Sequence, residues 1–589
     1  MRGAGQARGG TSIMSRKGSF TARVLPLVIS CAFLGTPHNR TLGAAGSNPE
    51  KAAGKEISKV RLLETIKVLS SDEFEGRAPA SKGEEKTVAF LDDQVRQIGL
   101  RPGNPDGTYL QKVPMVGITA DPSMSLVFKS AESGRKLELR NGNDFVAVTK
   151  REIPEVSVNA PVVFVGYGVV APEYQWDDYK GVDVTGKILV MLINDPPVPD
   201  PNDPSKLDDK VFKGRAMTYY GRWTYKYEIA AEKKAAGCII IHETGPAGYP
   251  WEVLSGSNAG EEFDLVRPDK GLSRSAVEAW MTHDKAKALF AMMGKDLDAL
   301  KQKARRRDFQ PVALGASASL TIRNKLRMID SANVAARLDG ADPKLRDQYV
   351  IYSAHWDHFG IGPAVNGDKI YHGAYDNASG VAGVLEMARA FAKVQPPPRR
   401  SILFLFVTAE EQGLLGSEYY AEHPLVPLQK TLAEINVDEM NVLGRTRDVT
   451  LVGMGMTTLD DYVRAAAAEQ GRVVKPDPEP EKGFYFRSDH FNFAKEGVPA
   501  LDPNDGVDFV GKPEGWGLTM RRKFTSEDYH KPSDKIKAYW DLSGLVEDVQ
   551  LFFEVGYRVA NAEAYPEWKP GSEFKARREA MLKAATGLK

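Results

Sequence analysis

YVIYSAHWDHFG (residues 349–360) runs an apolar and aromatic stretch, Tyr349 to Tyr352, directly into two histidines and an aspartate. A short apolar run of this kind reads as a buried strand. Working outward, RSILFLFVT (400–408) and LAEINVD (432–438) are further strand patterns, and helical patterns start near ASGVAGVLEMARAFAKV (378–394) and GLLGSEYYAEH (413–423). Strands alternating with helices predict an α/β fold from about residue 316 onward. In such folds the loops at the carboxyl ends of parallel strands converge on a crevice. Polar residues stand at those ends: His355, Glu410 with Glu411, and Asp438.

Two more segments complete the set, GAYDNASG (373–380) with Asp376 and DYHKPSD (528–534) with His530. His355, Asp376, Glu411, Asp438 and His530 are too far apart in sequence to meet on one helix, so only the fold can assemble them. Imidazole and carboxylate donors suit zinc, and five ligands with one shared carboxylate can hold two ions. Three close carboxylates would otherwise repel one another and shift toward protonation. Asp376 is the expected bridge, with His355 and Asp438 on one ion and Glu411 and His530 on the other. Asp357 faces the same way as His355 on an extended backbone and is expected to orient that ring. His358 is read as a residue that packs or bonds locally.

Glu410 points away from its neighbour Glu411 and is left to face water between the metals. It is expected to act as general base and then to protonate the departing amine, while Tyr529 donates a hydrogen bond to the oxyanion. Any single His or Asp here is more often a satisfied core or surface residue. The argument rests on the several strand-end clusters together.

The first segments carry other signals. Arg16, Lys17 and Arg23 precede the apolar run VLPLVISCAFLG (24–35), a secretory pattern too short to span a bilayer. VISC (28–31) resembles a lipoprotein processing site that would leave Cys31 lipidated, and the competing reading is cleavage further on. Both place the protein outside the cytoplasm, in the periplasm or secreted. Cys31 and Cys238 are the only cysteines, so a chain processed at the first has no internal disulfide. Basic and acidic side chains balance at 78 each, and nothing favours nucleic acid as a partner. Residues 51 to 100 show two amphipathic helical patterns separated by EGRAPASKG, with Gly99 as a helix end. Residues 155 to 315 read as a β-rich insertion: a strand pair at VNAPVVFVGYGV, strands at GKILVMLIND and CIIIH, a helix at YKYEIAAEKKAAG, and a helical extension beginning AVEAWMTHDKAKALF.

SAHWDHFG, GAYDNASG, TAEEQGLLGS, NVDEM and YHKPSD together resemble the dizinc exopeptidases, a group that includes leucyl aminopeptidases, glutamate carboxypeptidases and inactive transferrin receptor relatives. The resemblance implies a mixed central sheet flanked by helices, two Zn2+ held by the five ligands, peptide substrates, and a cis peptide after Asp376. The insertion resembles a protease-associated domain. The expected organisation is a signal segment and linker (1–50), the N-terminal part of the peptidase domain (51–154), the inserted domain with its extension (155–315) and the main peptidase domain (316–589). Many relatives have an acid where this chain has Tyr375. The leading expectation is an aminopeptidase. A glutamate-releasing carboxypeptidase, a single-zinc glutaminyl cyclase and an inactive binding protein are the alternatives. HExxH, a convincing GxSxG and a dinucleotide GxGxxG are missing.

Overall fold

The computed structural model describes residues 48–257 and 260–586. The secretory run and Cys31 lie outside the described residues. No described helix is long and apolar enough to cross a membrane.

The strand Tyr349–His355, buried at every position, lies between Ser401–Val407 and Thr431–Asn436, parallel to both. Two-sided burial explains why all three are apolar runs rather than alternating patterns. Ala500–Asn504 adds in parallel beyond Thr431–Asn436, and Asp448–Val452 then pairs antiparallel with it. On the other side Ser401–Val407 pairs antiparallel with Val312–Leu338. The result is a mixed central sheet.

The helices Ser379–Lys393 and Ser543–Asn561 bury Val384, Leu385, Leu551 and Phe552 in the core formed with this sheet. The predicted N-terminal helices are present as Lys59–Leu69 and Lys82–Ile98. The second ends at Gly99 with φ 85°, a conformation glycine adopts at little steric cost. Leu62, Ile66 and Leu69 pack inward, and Arg61 grips Glu386 of the helix Ser379–Lys393 with Nε and Nη2, each at 2.7 Å.

Val312–Leu338 joins two bodies. Its first half pairs with Glu155–Phe164 and Ser125–Ser130, and its second half with Leu110–Ala120 and the central sheet. Four expectations change. The strands Ser125–Ser130 and Lys136–Arg140, which lie in the segment expected to be the N-terminal part of the peptidase domain, pair with each other, Ser125–Ser130 also pairs with the first half of Val312–Leu338, and Phe145–Val148 pairs with Val277–Thr282. The expected boundary at 315/316 falls inside one unbroken strand. Val277–Thr282, read as the start of a helix, is a strand in parallel register with Gly237–His242. Its residues bury on both faces, and helix begins only at His283. VNAPVVFVGYGV contributes to the single strand Glu155–Phe164 rather than a strand pair.

Candidate metal centre

His355 is the last residue of its strand, Glu410 and Glu411 follow the end of Ser401–Val407, and Asp438 follows Thr431–Asn436. Parallel register aligns these ends: His355 faces Val407, and Ser353 faces Asn436. Asp376 sits before the helix Ser379–Lys393, and its peptide bond to Asn377 is cis.

His355 Nε2 lies 3.3 Å from Asp376 Oδ1 and 3.2 Å from Asp438 Oδ1. His530 Nε2 lies 3.4 Å from Asp376 Oδ2 and 3.0 Å from Glu411 Oε2. Asp376 thus turns one oxygen toward each group. Donors 2.0–2.1 Å from a tetrahedral zinc ion are separated by about 3.3 Å, so both groups have the spacing that such an ion needs. His355 Nδ1 is 3.3 Å from the Asp357 carbonyl oxygen. A proton held there leaves the Nε2 lone pair for a cation. The residues therefore fit two metal ions.

Against burial, which opposes charging, Asp438, Glu410 and Asp376 drive the His355 imidazole well up. Glu411 and Asp376 likewise raise His530 to about 10 against its burial. Protons on these rings balance acids that divalent cations would otherwise balance. Glu410 Oε2 is 4.0 Å from His355 Nε2. Burial, then Glu411, Asp438 and Asp489, push its carboxyl well up, with His355 opposing.

Asp357 differs from its expected role. Its carboxylate is 3.8 Å from His355 Nδ1, beyond hydrogen-bond range. It instead accepts the backbone N–H groups of Glu410 at 3.0 Å and Glu411 at 3.4 Å. His358 also differs: fully buried, it places Nδ1 2.5 Å from Glu411 Oε1. With Asp376 and Glu411 it forms a group capable of holding a metal, as do His355, Asp376 and Asp438, and His355, Glu410 and Glu411. Alternation along the strand argued for 355 and 357, but the chain leaves extended geometry after His355 and brings 358 around.

Two supports went unread in the sequence. Arg77, from EGRAPASKG, is 1 % exposed and donates to four carbonyl oxygens: Trp356 at 2.9 Å, Leu69 at 2.6 Å, His372 at 2.7 Å and Gly373 at 2.9 Å. It ties the loops carrying His355 and Asp376 to the N-terminal helices. Asp534, four residues after His530, accepts the N–H groups of Tyr375 and Asp376, each at 3.0 Å. Nothing in the sequence marks Arg77 as buried, whereas the acid closing YHKPSD was an available signal.

Tyr529 is 38 % exposed and stacks on His530 with ring centroids 3.6 Å apart. It lines a cavity of about 370 Å³ together with Asp376, Glu410 and Asp438. Arg487 lines the same cavity, and its Nε has no hydrogen-bond partner. Asp489 is fully buried and lies outside that lining. Ser488 between them donates to Asp438 Oδ2 at 2.6 Å. Tyr375 packs its ring on Phe524, 4.6 Å between centroids.

Residues 333–553 match the model of peptidase family M28. A probable leucine aminopeptidase 2 of Aspergillus oryzae is 35% identical over 367 residues, covering 60% of this chain and 64% of its own. Aminopeptidase NAALADL1 of Mus musculus is 38% identical over 161 residues, 26% of this chain and 19% of that protein. The matches thus span less than two thirds of these relatives' length. A solved aminopeptidase from Aneurinibacillus sp. strain AM-1 aligns over 89% of this chain and 97% of its own, at 19% identity and a TM-score of 0.47. Residues 333–553, the segment that matches peptidase family M28, carry every candidate ligand.

Proposed function

We propose that this protein is a zinc-dependent aminopeptidase that hydrolyses N-terminal peptide bonds. The observation that carries the reading is the division of Asp376, with Oδ1 toward His355 and Oδ2 toward His530. His355, Asp376 and Asp438 would hold one zinc ion, and Asp376, Glu411 and His530 the other. Bound there, the ions lower the pKa of water and stabilise negative charge on the reacting carbonyl. Glu410 takes the proton of the attacking water and passes it to the departing amine. Asp357 fixes the Glu410 main chain, and Tyr529 donates to the developing oxyanion.

Glu439 supports the amine-end reading. It lines the cavity beside Asp438, and its carboxylate has no hydrogen bond or ion pair among the described residues. A substrate ammonium group supplies the missing cation. Arg487 favours a second reading, carboxyl-end recognition, since it too lacks an acidic partner. The insertion fits a protease-associated domain beside the cleft, and the signal pattern supports export.

Peptides free or acetylated at the amino end, incubated with metal-depleted and zinc-restored protein, test the proposal. Release of the first residue only from free peptides, and only with metal, is expected. Cleavage of acetylated peptides from the carboxyl end, or full activity after verified depletion, contradicts it.

A further inference from the structure

Asp502 is 4 % exposed, lines the cavity, and makes no side-chain hydrogen bond or ion pair among the described residues. It lies on Ala500–Asn504, whose parallel register to Thr431–Asn436 matches Leu501 with Ile435. Continued by one step, that register sets Asp502 beside Asn436, two residues before Asp438. The carboxylate therefore stands at the functional end of the sheet, next to the strand that delivers a candidate metal ligand.

The charges around it are mostly of its own sign. Asp438 and Asp477 act on Asp502, and the one opposing cation among these neighbours is Arg521. Arg521 is already engaged, with Nη2 3.3 Å from Asp505 Oδ1. Asp477, 8 % exposed, accepts only the N–H of Glu479. Elsewhere on the lining, Glu479 is paired with Lys482 and Arg522, and Asp528 with Lys537. At this end of the lining Asp477 and Asp502 are thus the acids without a cation of their own, while Asp505 holds Arg521.

A buried acid without a partner is costly, and the cavity lets a ligand remove the cost. The walls indicate its shape: Val442, Leu443, Val452, Phe484 and Phe509 line the same space. Apolar walls combined with unpaired acids in one cavity match a long aliphatic stem ending in a cation.

We propose that the cavity is a specificity pocket for a basic N-terminal side chain, lysine or arginine, with Asp502 as the principal contact for its charged end and Asp477 supporting it. The inference rests on the aminopeptidase reading and deepens it by naming the substrate class. The terminal ammonium group stays near Glu439 and Asp438, and the side-chain cation takes the position that Arg521 leaves open.

Zinc-loaded full-length protein should be assayed at low salt on lysyl, arginyl and norleucyl anilides, norleucine matching the lysine stem without its charge. The expected kcat/KM for the lysyl substrate exceeds that for norleucyl by about tenfold or more, the size of one charge-assisted contact. Asp502→Asn, nearly isosteric, should lower that ratio about tenfold, and Asp477→Asn should lower it less. Asp477→Asn also serves if the first variant fails to fold. Calorimetry should show L-lysine binding more tightly than L-norleucine, a readout independent of turnover. A norleucyl substrate cleaved as well as the lysyl one, or a ratio unmoved by both substitutions, overturns the specificity while leaving the aminopeptidase standing. Failure to cleave any of the anilides overturns both.

Discussion

The carboxylate of Asp357 accepts the backbone N–H of Glu410 at 3.0 Å, so a buried acid with no contact to the reacting atoms sets where the proposed base stands. Asp357→Ala should lower kcat by about 10- to 100-fold, with a smaller change in KM, since positioning losses fall on the transition state. Asp357→Asn, which keeps an acceptor oxygen, should recover part of the loss. Steady-state kinetics on both variants, with zinc content measured in parallel, checks this. Equal loss in both would indicate that charge rather than position matters.

Removing the base itself gives a sharper contrast. Glu410→Gln keeps the shape of the side chain and leaves all five candidate ligands in place. It should retain zinc while losing about 10²- to 10⁴-fold in kcat, the usual range for general-base catalysis. Metal analysis with hydrolysis assays on the same preparation decides the matter. Wild-type turnover in Glu410→Gln would refute its role.

Arg77 predicts a stability effect. Lysine cannot direct donors to the four separate carbonyl oxygens of Leu69, Trp356, His372 and Gly373. Arg77→Lys should destabilise by about 3–5 kcal/mol through buried unsatisfied carbonyls. Urea unfolding measures it.

A pH dependence follows from Glu278 on the strand Val277–Thr282. Glu278 is 4 % exposed, and burial lifts its carboxyl to about 7, with Arg274 and Lys150 pulling the other way. A carboxyl whose folded value is raised binds its proton more tightly when folded. Its stabilising contribution is therefore complete below the ordinary glutamate range and is lost as pH rises through about 7. Glu278→Gln should flatten the decline in stability between about pH 4.5 and 7, an effect of order a few kcal/mol. Urea midpoints across that range for both proteins check the sign.

The strand ends were legible because buried parallel strands are apolar runs and the polar residues closing them stand out. That pattern exposed His355, Glu410, Glu411 and Asp438 together. Arg77 was hidden for the opposite reason: its partners Trp356, His372 and Gly373 lie almost 300 residues away, and nothing local marks an arginine as buried. The expectation for Asp357 rests on strand alternation, and the strand ends at His355. The first residues of AVEAWMTHDK look helical by composition, yet their pairing with Gly237–His242 makes them a strand. Tertiary context overrode local preference there. The insertion boundary at 155 failed similarly, since Ser125–Ser130 reveals its sheet only through pairing with residues 316–319.

Anomalous diffraction at the zinc edge from crystals of the zinc-soaked Glu410→Gln protein tests the metal centre most directly. Two peaks are predicted, one beside each oxygen of Asp376, the first contacting His355 and Asp438 and the second Glu411 and His530. A single peak, or peaks away from Asp376, would contradict the account.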